Sequence, residues 1–340
     1  MKSAYRRLFF FIRRYMIAIN SIEIKNFKSI RDIQLSHCKD INVIIGRPNV
    51  GKSNILEALS LFDVPYLVGS KTKSLKSLVR LDNASEIFYN GEVNKLIEVK
   101  ANDYVLSLFS TPGILTLEIT NNEEFSRYSF NNALQLTTKR LPTNLPPLLT
   151  YFFPRYFEPK QSNFSFLLPP SGTNLSEIVS HLPLLKEELD DLFHSFGLRL
   201  VFDKSSSQIK AMKEDGHDVF LVPYTSLSDS LQRLIFYKAA IRSNKDKVLC
   251  FEEPEAHTFP PYISNVVNDI MGCRDNQFFI STHSPYVVNS LLESAEDRLA
   301  IYIVDIKDNA TVIKRLEDKE LQNIYDNGLD MFFNIDYFMA

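Results

Sequence analysis

Gly46-Arg47-Pro48-Asn49-Val50-Gly51-Lys52-Ser53 fits the phosphate-binding spacing GxxxxGK[ST], and the fold is read outward from it. The apolar run Ile41, Val43, Ile44, Ile45 before it predicts a strand. After it, Asn54-Ile55-Leu56-Glu57-Ala58-Leu59-Ser60-Leu61-Phe62 is apolar at 55, 58, 59 and 62, the spacing of a helix. Glycines 46 and 51 let the backbone curl so that its N–H groups and the helix N-terminus face a triphosphate. Lys52 is expected to reach the β/γ-phosphates and Ser53 to hold Mg2+. Arg47, Pro48, Asn49, Val50 and Asn54 complete the expected nucleotide cradle.

At 340 residues the chain has room for about two domains, and 45% apolar with 23% charged residues is ordinary for a soluble globular protein. No apolar stretch approaches a membrane span, so no membrane partner is expected. Cys38, Cys250 and Cys273 are too few and too scattered for a disulfide framework or a zinc site, which fits a reducing cytoplasm. The net charge of −3 excludes a polycation drawn to nucleic acid by its bulk field. Any DNA contact must be local. Lys71, Lys73, Lys76 and Arg80 offer a modest basic face, although such a run is usually solvated surface.

Residues 1–15 are unlike the rest. Lys2, Arg6, Arg7, Arg13 and Arg14 surround Leu8-Phe9-Phe10-Phe11-Ile12 with no acid among them. The apolar core is short for a signal peptide and no small-residue cleavage site follows. The expectation is a basic extension that is not native, with translation starting at Met16 before a strand over 17–24. A membrane-surface or partner-binding helix is the alternative.

Further along, Ile22, Ile24 and Phe27, then Ile33 and Leu35, alternate as strands. Residues 97–99, 104–109, 114–119 and 125–130 read as antiparallel strands separated by Asn, Asp, Gly and Pro turns. The proline-rich stretch 140–175 cannot be one helix, and 176–196 reads as a helix despite Pro183. Beyond 220, helices over about 228–241 and 261–271 alternate with strands over 248–251 and 277–281, which argues for a parallel sheet. Four segments are therefore expected: 1–15; a first core half with phosphate loop and β subdomain over 16–139; a Pro-rich, helical insertion over 140–219; and a second core half over 220–340. No sustained heptads, internal repeat or low-complexity tract is present.

Val248-Leu249-Cys250-Phe251-Glu252-Glu253-Pro254-Glu255 is an apolar strand ending in carboxylates. Alternation sends adjacent side chains different ways, so Glu252 is expected to hold a Mg2+-bound water and Glu253 to orient and polarise the attacking water as general base. Taken alone, such acids merely begin a solvated turn. Phe278-Phe279-Ile280-Ser281-Thr282-His283 adds a second strand end and an imidazole able to touch a γ-phosphate, though an isolated histidine is more often structural. In Leu227-Ser228-Asp229-Ser230-Leu231-Gln232-Arg233, Ser228 is a natural N-cap for a helix striped by Leu231, Leu234, Ile235 and Ala239. Either cap and core face are all there is, or that helix N-terminus points at a γ-phosphate held by another subunit.

The order phosphate loop, signature-like helix, acidic strand and switch histidine resembles ABC-type ATPases of the RecF/SMC-like class, including stand-alone AAA-type ATP-binding proteins. The resemblance spans about 17–62 and 220–290. Residues 22–30, IEIKNFKSI, look like the opening strand of that class, and Glu253-Pro254-Glu255-Ala256-His257 like its EPExH turn. It implies an α/β P-loop NTPase core of ABC/RecF type with an antiparallel β subdomain and a small helical insertion. It also implies ATP and Mg2+ as cofactors, Lys52 and Ser53 as phosphate and Mg2+ ligands, Glu252 as Walker B acid, Glu253 as catalytic base, Ser228 as signature serine and His283 as switch histidine. The implied machine is a homodimer or higher oligomer closing on ATP. Glu252 stands where the family has Asp, Ser230 where a signature glycine is usual, and no Q-loop glutamine is evident. Related ATPases in overcoming-lysogenisation-defect nucleases and phage-defence systems act with a nuclease or toxin, which here would be a separate protein.

Three rivals remain at this level. A GTPase would share GRPNVGKS, but Asn244-Lys245-Asp246-Lys247 is not NKxD and Asp269-Ile270-Met271-Gly272 falls inside a predicted helix. A non-hydrolysing ATP-dependent scaffold would account for Glu252 and Ser230. A DNA repair clamp would use the basic face at 71–80.

Overall fold

The computed structural model describes residues 18–70, 72–122, 124–139 and 145–339. The expectations for residues 1–15, Met16 and Lys71 lie outside them. From the N-terminus the elements are β1 (Ile22–Phe27), β2 (Ile30–Leu35), β3 (Ile41–Gly46), α1 (Lys52–Ser60), α2 (Val64–Leu67), β4 (Ile97–Ala101), β5 (Tyr104–Thr111), β6 (Ile114–Thr120), β7 (Phe125–Phe130), β8 (Leu148–Tyr151), α3 (Leu175–Ser180) and α4 (Pro183–His194). There follow β9 (Arg199–Asp203), β10 (Gln208–Asp215), β11 (Asp218–Pro223), α5 (Asp229–Ser243), β12 (Val248–Glu252), α6 (Pro260–Gly272), β13 (Gln277–Ser281), α7 (Pro285–Ser294), β14 (Leu299–Lys307), β15 (Ala310–Arg315), α8 (Asp318–Asn327) and α9 (Ile335–Met339). Among the described residues, no helix is long and apolar enough to cross a membrane.

The central sheet runs β15-β14-β3-β13-β12-β8, parallel throughout except for the β14–β15 hairpin. Its strands are apolar on both faces because both are covered. Ile41, Val43, Ile45, Leu249, Phe251, Phe278 and Ile280 face one core, closed by α3 to α7. Their alternates Ile44, Val248, Cys250 and Phe279 face a second core that holds Ile55, Leu56, Ala58 and Leu59 of α1. That second core is closed by the antiparallel sheet β2-β1-β4-β5-β6-β7, whose inward residues include Ile22, Ile24, Val99 and Leu117. The period-2 alternation of the strands thus builds two cores on one sheet.

The stretch 140–219 departs from the expected helical insertion. It contributes β8, the edge strand of the central sheet, and it begins the three-stranded antiparallel sheet β11-β10-β9. Four residues, LLTY, set among prolines give too short a pattern to read as a core strand. The expected helix over 176–196 is two helices, because Pro183 has no N–H to continue α3 and instead occupies the first turn of α4. Helix α4 is clamped to the core by charge. Lys238, almost fully buried on α5, lies 2.7 Å from Glu188 of α4 and 3.0 Å from Asp269 of α6, and Arg242 grips the same two carboxylates. Asp269, the residue a GTPase reading would recruit, is therefore committed to helix packing.

Candidate active site

Three adjacent parallel strands bring the site together. In the ladders Ile44 of β3 stands beside Ser281 of β13, and Ser281 beside Glu252 of β12. The loops leaving their C-terminal ends are therefore neighbours, the position where open α/β sheets bind ligands. Two backbone bonds fix them: Thr282 N–H donates to Ile44 O (3.2 Å) and Glu253 N–H to Ser281 O (2.9 Å).

The phosphate loop follows β3. Gly46 has φ +155°, and a Cβ there would stand 2.2 Å from Val304 O; Gly51 has φ +105°, and its Cβ would stand 2.3 Å from Thr311 Oγ1. Both positions exclude a side chain. Thr311 donates to Val50 O (2.9 Å) and shares a hydrogen bond with Ser29 Oγ (2.7 Å), to which Asn54 Nδ2 donates (2.7 Å). The β1–β2 and β14–β15 hairpins thus brace the loop from one side. Lys52 is buried, and its Nζ donates to Gly46 O (3.0 Å) and Arg47 O (2.7 Å), inside the curl of the loop. Burial lowers its pKa to about 8, against the opposing pull of Glu253. Ser53 is half-buried beside it. Arg47 turns outward to Asp336 (2.6 Å) and Asp305 (3.6 Å), and Pro48 and Asn49 form the exposed tip, with Asn49 in the left-handed region at φ +63°.

At the end of β12 the two acids part, because Glu252 is the last strand residue and Glu253 leaves the strand in left-handed backbone. Glu252 is paired with the guanidinium of Arg80, whose Nε is also 3.8 Å from Glu57 Oε1. Glu57, on α1 and 2% exposed, pairs in turn with Lys28, and Lys28 Nζ donates to Arg80 O (2.6 Å). Burial raises the Glu57 pKa, with Lys28 pulling against it. Glu253 sits at φ +41°, and its Oε1 is 3.4 Å from His283 Nε2. Burial, and then the charge of Lys52, lowers the His283 pKa, with Glu253 opposing. Glu255 accepts from Thr282 Oγ1 (2.6 Å) and from His283 N–H (2.9 Å), so it positions the histidine's backbone.

The structure therefore brings Lys52, Glu253 and His283 within electrostatic reach of one another. Arg80, Lys28, Glu57 and Glu255 were not singled out for the site by sequence reasoning. Glu255 had a signal in the EPExH turn; Arg80 had none, since it reads as one more cation in a basic run. With its guanidinium on Glu252, Arg80 is not a free member of a basic face. Among the described residues no group of three or more His, Cys, Asp or Glu is able to hold a metal. The donor set suits Mg2+ nonetheless: one carboxylate, a hydroxyl and phosphate oxygens are its usual partners, and the cation seated on Glu252 shows that this carboxylate accepts positive charge.

Ser228 lies elsewhere. It caps α5 by accepting from Leu231 N–H (3.4 Å), while Ser230 Oγ donates to His257 O (3.1 Å) and accepts from Phe259 N–H (3.0 Å). Helix α5 packs on the face of the sheet opposite α1. The signature-like residues are therefore not gathered around Lys52 of the same chain.

Over residues 41–289 the chain matches the family described as AAA domain, putative AbiEii toxin, Type IV TA system, and it belongs to that family of AAA ATPase domains. An ATP/GTP phosphatase of Helicobacter pylori is 22% identical over 382 residues, covering 92% of this chain and 100% of that protein. Endonuclease GajA of Bacillus cereus is 20% identical over 324 residues, 82% of this chain but 46% of the endonuclease, so the chain spans just under half of that relative. Among solved structures, the Smc head domain with an extended coiled coil bound to the C-terminal domain of ScpA, from Pyrococcus furiosus, superposes with a TM-score of 0.50 at 14% identity, over 91% of this chain and 98% of that one. The fold is that of a P-loop NTPase head with an antiparallel β subdomain.

Proposed function

We propose that the chain binds ATP with Mg2+ on the Gly46–Ser53 loop and hydrolyses it, and that the cycle opens and closes a head-to-tail pair of chains that controls a separate effector. The observation that carries the hydrolytic part is the convergence of Lys52, Glu253 and His283 from three adjacent strand ends. Lys52 Nζ, already aimed into the curl of the loop, exchanges its two carbonyl partners for phosphate oxygens. Glu253 holds the attacking water and takes its proton. Neutral His283, at 3.4 Å, orients that carboxylate and presents its ring to the γ-phosphate side. Ser53 and Glu252 would hold Mg2+, which would supply charge neutralisation at the phosphates. The relative in Helicobacter pylori, matched over its whole length, bears a phosphatase name that fits this chemistry.

The paired arrangement draws its support from the sheet itself. Helices α1 and α5 occupy opposite faces, which favours a second copy presenting Ser228 to the γ-phosphate. Family membership and the partial match to GajA favour a defence setting.

The test compares wild type with Lys52→Ala and Glu253→Gln. Lys52→Ala is expected to lose ATP binding. Glu253→Gln is expected to keep it, to lower phosphate release by about 10^2- to 10^4-fold, and to accumulate an ATP-dependent dimer in analytical ultracentrifugation. Equal hydrolysis by wild type and Glu253→Gln would remove the catalytic assignment. Dimerisation on ATP with no turnover in either would favour the scaffold, a reading that the Arg80–Glu252 pair also suits.

A further inference from the structure

Beyond the end of β8 the chain passes through Phe153-Pro154-Arg155-Tyr156-Phe157 and forms one wall of a cleft of about 670 Å3, whose other wall is the start of α5 with Arg233 and the turn at His257. That volume is in the range of small-molecule sites. Phe153 and Phe157 pack on the α5 side of the central sheet, so the cleft is separate from the Lys52 loop. Its chemistry is uneven in a telling way. The Arg233 guanidinium lies over the Phe153 ring, 4.4 Å from the centroid, while its Nε is shielded from solvent and makes no hydrogen bond. Arg155 is exposed at the rim, and Tyr156 beside it is 88% exposed. Asp229 is the one carboxylate in the lining. Phe157 is braced against Tyr224, with ring centroids 5.2 Å apart.

An exposed tyrosine next to an exposed arginine, on a cleft whose lining also includes a second arginine, is a pairing of stacking surface with phosphate-binding groups. We propose that this cleft binds a nucleotide unit, with phosphate on Arg155 and Arg233 and the base stacked on Tyr156. The unit has two sources, a free nucleotide or a single nucleic-acid strand. With a net charge of −3, engaging a strand depends on a local patch, of which this cleft is one. The proposal is independent of turnover at Lys52.

The experiment uses the full chain carrying Lys52→Ala, with fluorescence anisotropy of a labelled oligo-dT and of a ribose-labelled ATP analogue. At least one probe is expected to bind. Adding Arg155→Ala or Tyr156→Ala is expected to weaken that binding about tenfold, and Arg155→Ala to lower the salt dependence of oligonucleotide binding by about one unit of slope. Binding of oligo-dT alone identifies a strand as the ligand; binding of the analogue identifies a free nucleotide. Both positions are exposed, so melting temperatures should hold. Single Arg155→Ala and Tyr156→Ala variants of otherwise wild-type protein repeat the oligonucleotide comparison if Lys52→Ala folds poorly. Failure of both probes to bind, or binding indifferent to both substitutions, overturns the proposal. Loss of ATP turnover in wild type would instead count against the Lys52 site.

Discussion

Arg80 and Glu252 form an ion pair that joins the segment between α2 and β4 to the acid that ends β12. The guanidinium is shared: its Nε also lies 3.8 Å from Glu57. A cation entering at Glu252 must displace one arm of this pair, and Glu57 is already in place to keep the arginine. Arg80→Ala should therefore lower the half-saturating Mn2+ concentration in the presence of a non-hydrolysable ATP analogue by about tenfold, the worth of one charge-assisted hydrogen bond. Electron paramagnetic resonance of free Mn2+ reads this directly. Unchanged or weaker metal binding would show that Arg80 does not compete.

Lys52 carries a pKa lowered to about 8 by burial, against an ordinary value of 10.5. Between these values the unfolded chain holds more protons than the folded one, so the cost of burying this charge fades as pH rises through 8. Nucleotide binding has the opposite slope. Phosphate favours the ammonium, so ATP affinity should fall as pH rises above about 8, and binding near pH 8 should take up a proton. Calorimetry in buffers of different ionisation enthalpy measures that uptake, and Lys52→Arg should abolish it.

His283 has a pKa below the ordinary 6.5, so it is neutral at pH 7. Because the folded value is the lower one, the stability it contributes is complete above 6.5 and lost as pH falls. Its protonation would put a second cation beside Lys52 and draw Glu253 into an ion pair, weakening it as a base. Hydrolysis should thus decline on the acid side below pH 6.5, and His283→Gln should be slower with that limb flattened. A limb unmoved by the substitution assigns it to another group.

The loop is held by small groups. Thr311→Val removes the donor to Val50 O and should cost about 1–2 kcal/mol, raising the KM for ATP more than it lowers kcat. Gly51→Ala should be worse, because its Cβ meets Thr311 Oγ1 and Ser29 Oγ at 2.3 and 2.8 Å and φ is +105°. Calorimetric melting and ATP titration order the two variants; Gly51→Ala milder than Thr311→Val would contradict the brace.

Asp269→Ala leaves Lys238, almost fully buried, with Glu188 as its one remaining carboxylate partner in this cluster. Because Glu188 still faces the ammonium, the loss should stay below the ~3–5 kcal/mol of a buried charge left wholly unpaired, visible as a lower denaturant midpoint.

Much of the architecture was legible because it rests on local pattern. The phosphate loop, the four subdomain strands from 97 to 130, β12, β13 and the cap at Ser228 all follow from alternation, helical spacing or turn residues. Edge strand β8 was not, since four residues carry too little periodicity and become a strand only by pairing with β12. The sheet β9–β11 has mixed exposure, and its polar turns at Ser205–Ser207 and Gly216 resemble any loop. At the site, residue types at strand ends pointed to Lys52, Glu253 and His283. Arg80 and Glu57 were out of reach, because 80 meets 252 only through the fold.

Among the described residues β12 is the one strand that pairs with β8, which also donates from Thr150 N–H to Asp63 Oδ2 (2.8 Å) and runs on into Phe153 and Arg155. A molecule gripped by Arg155 would tug on a ribbon laddered to the strand carrying Glu252 into Glu253. Cargo and combustion would then share one tendon, and amide exchange along residues 148–151 and 248–252 should slow together when the cleft is filled.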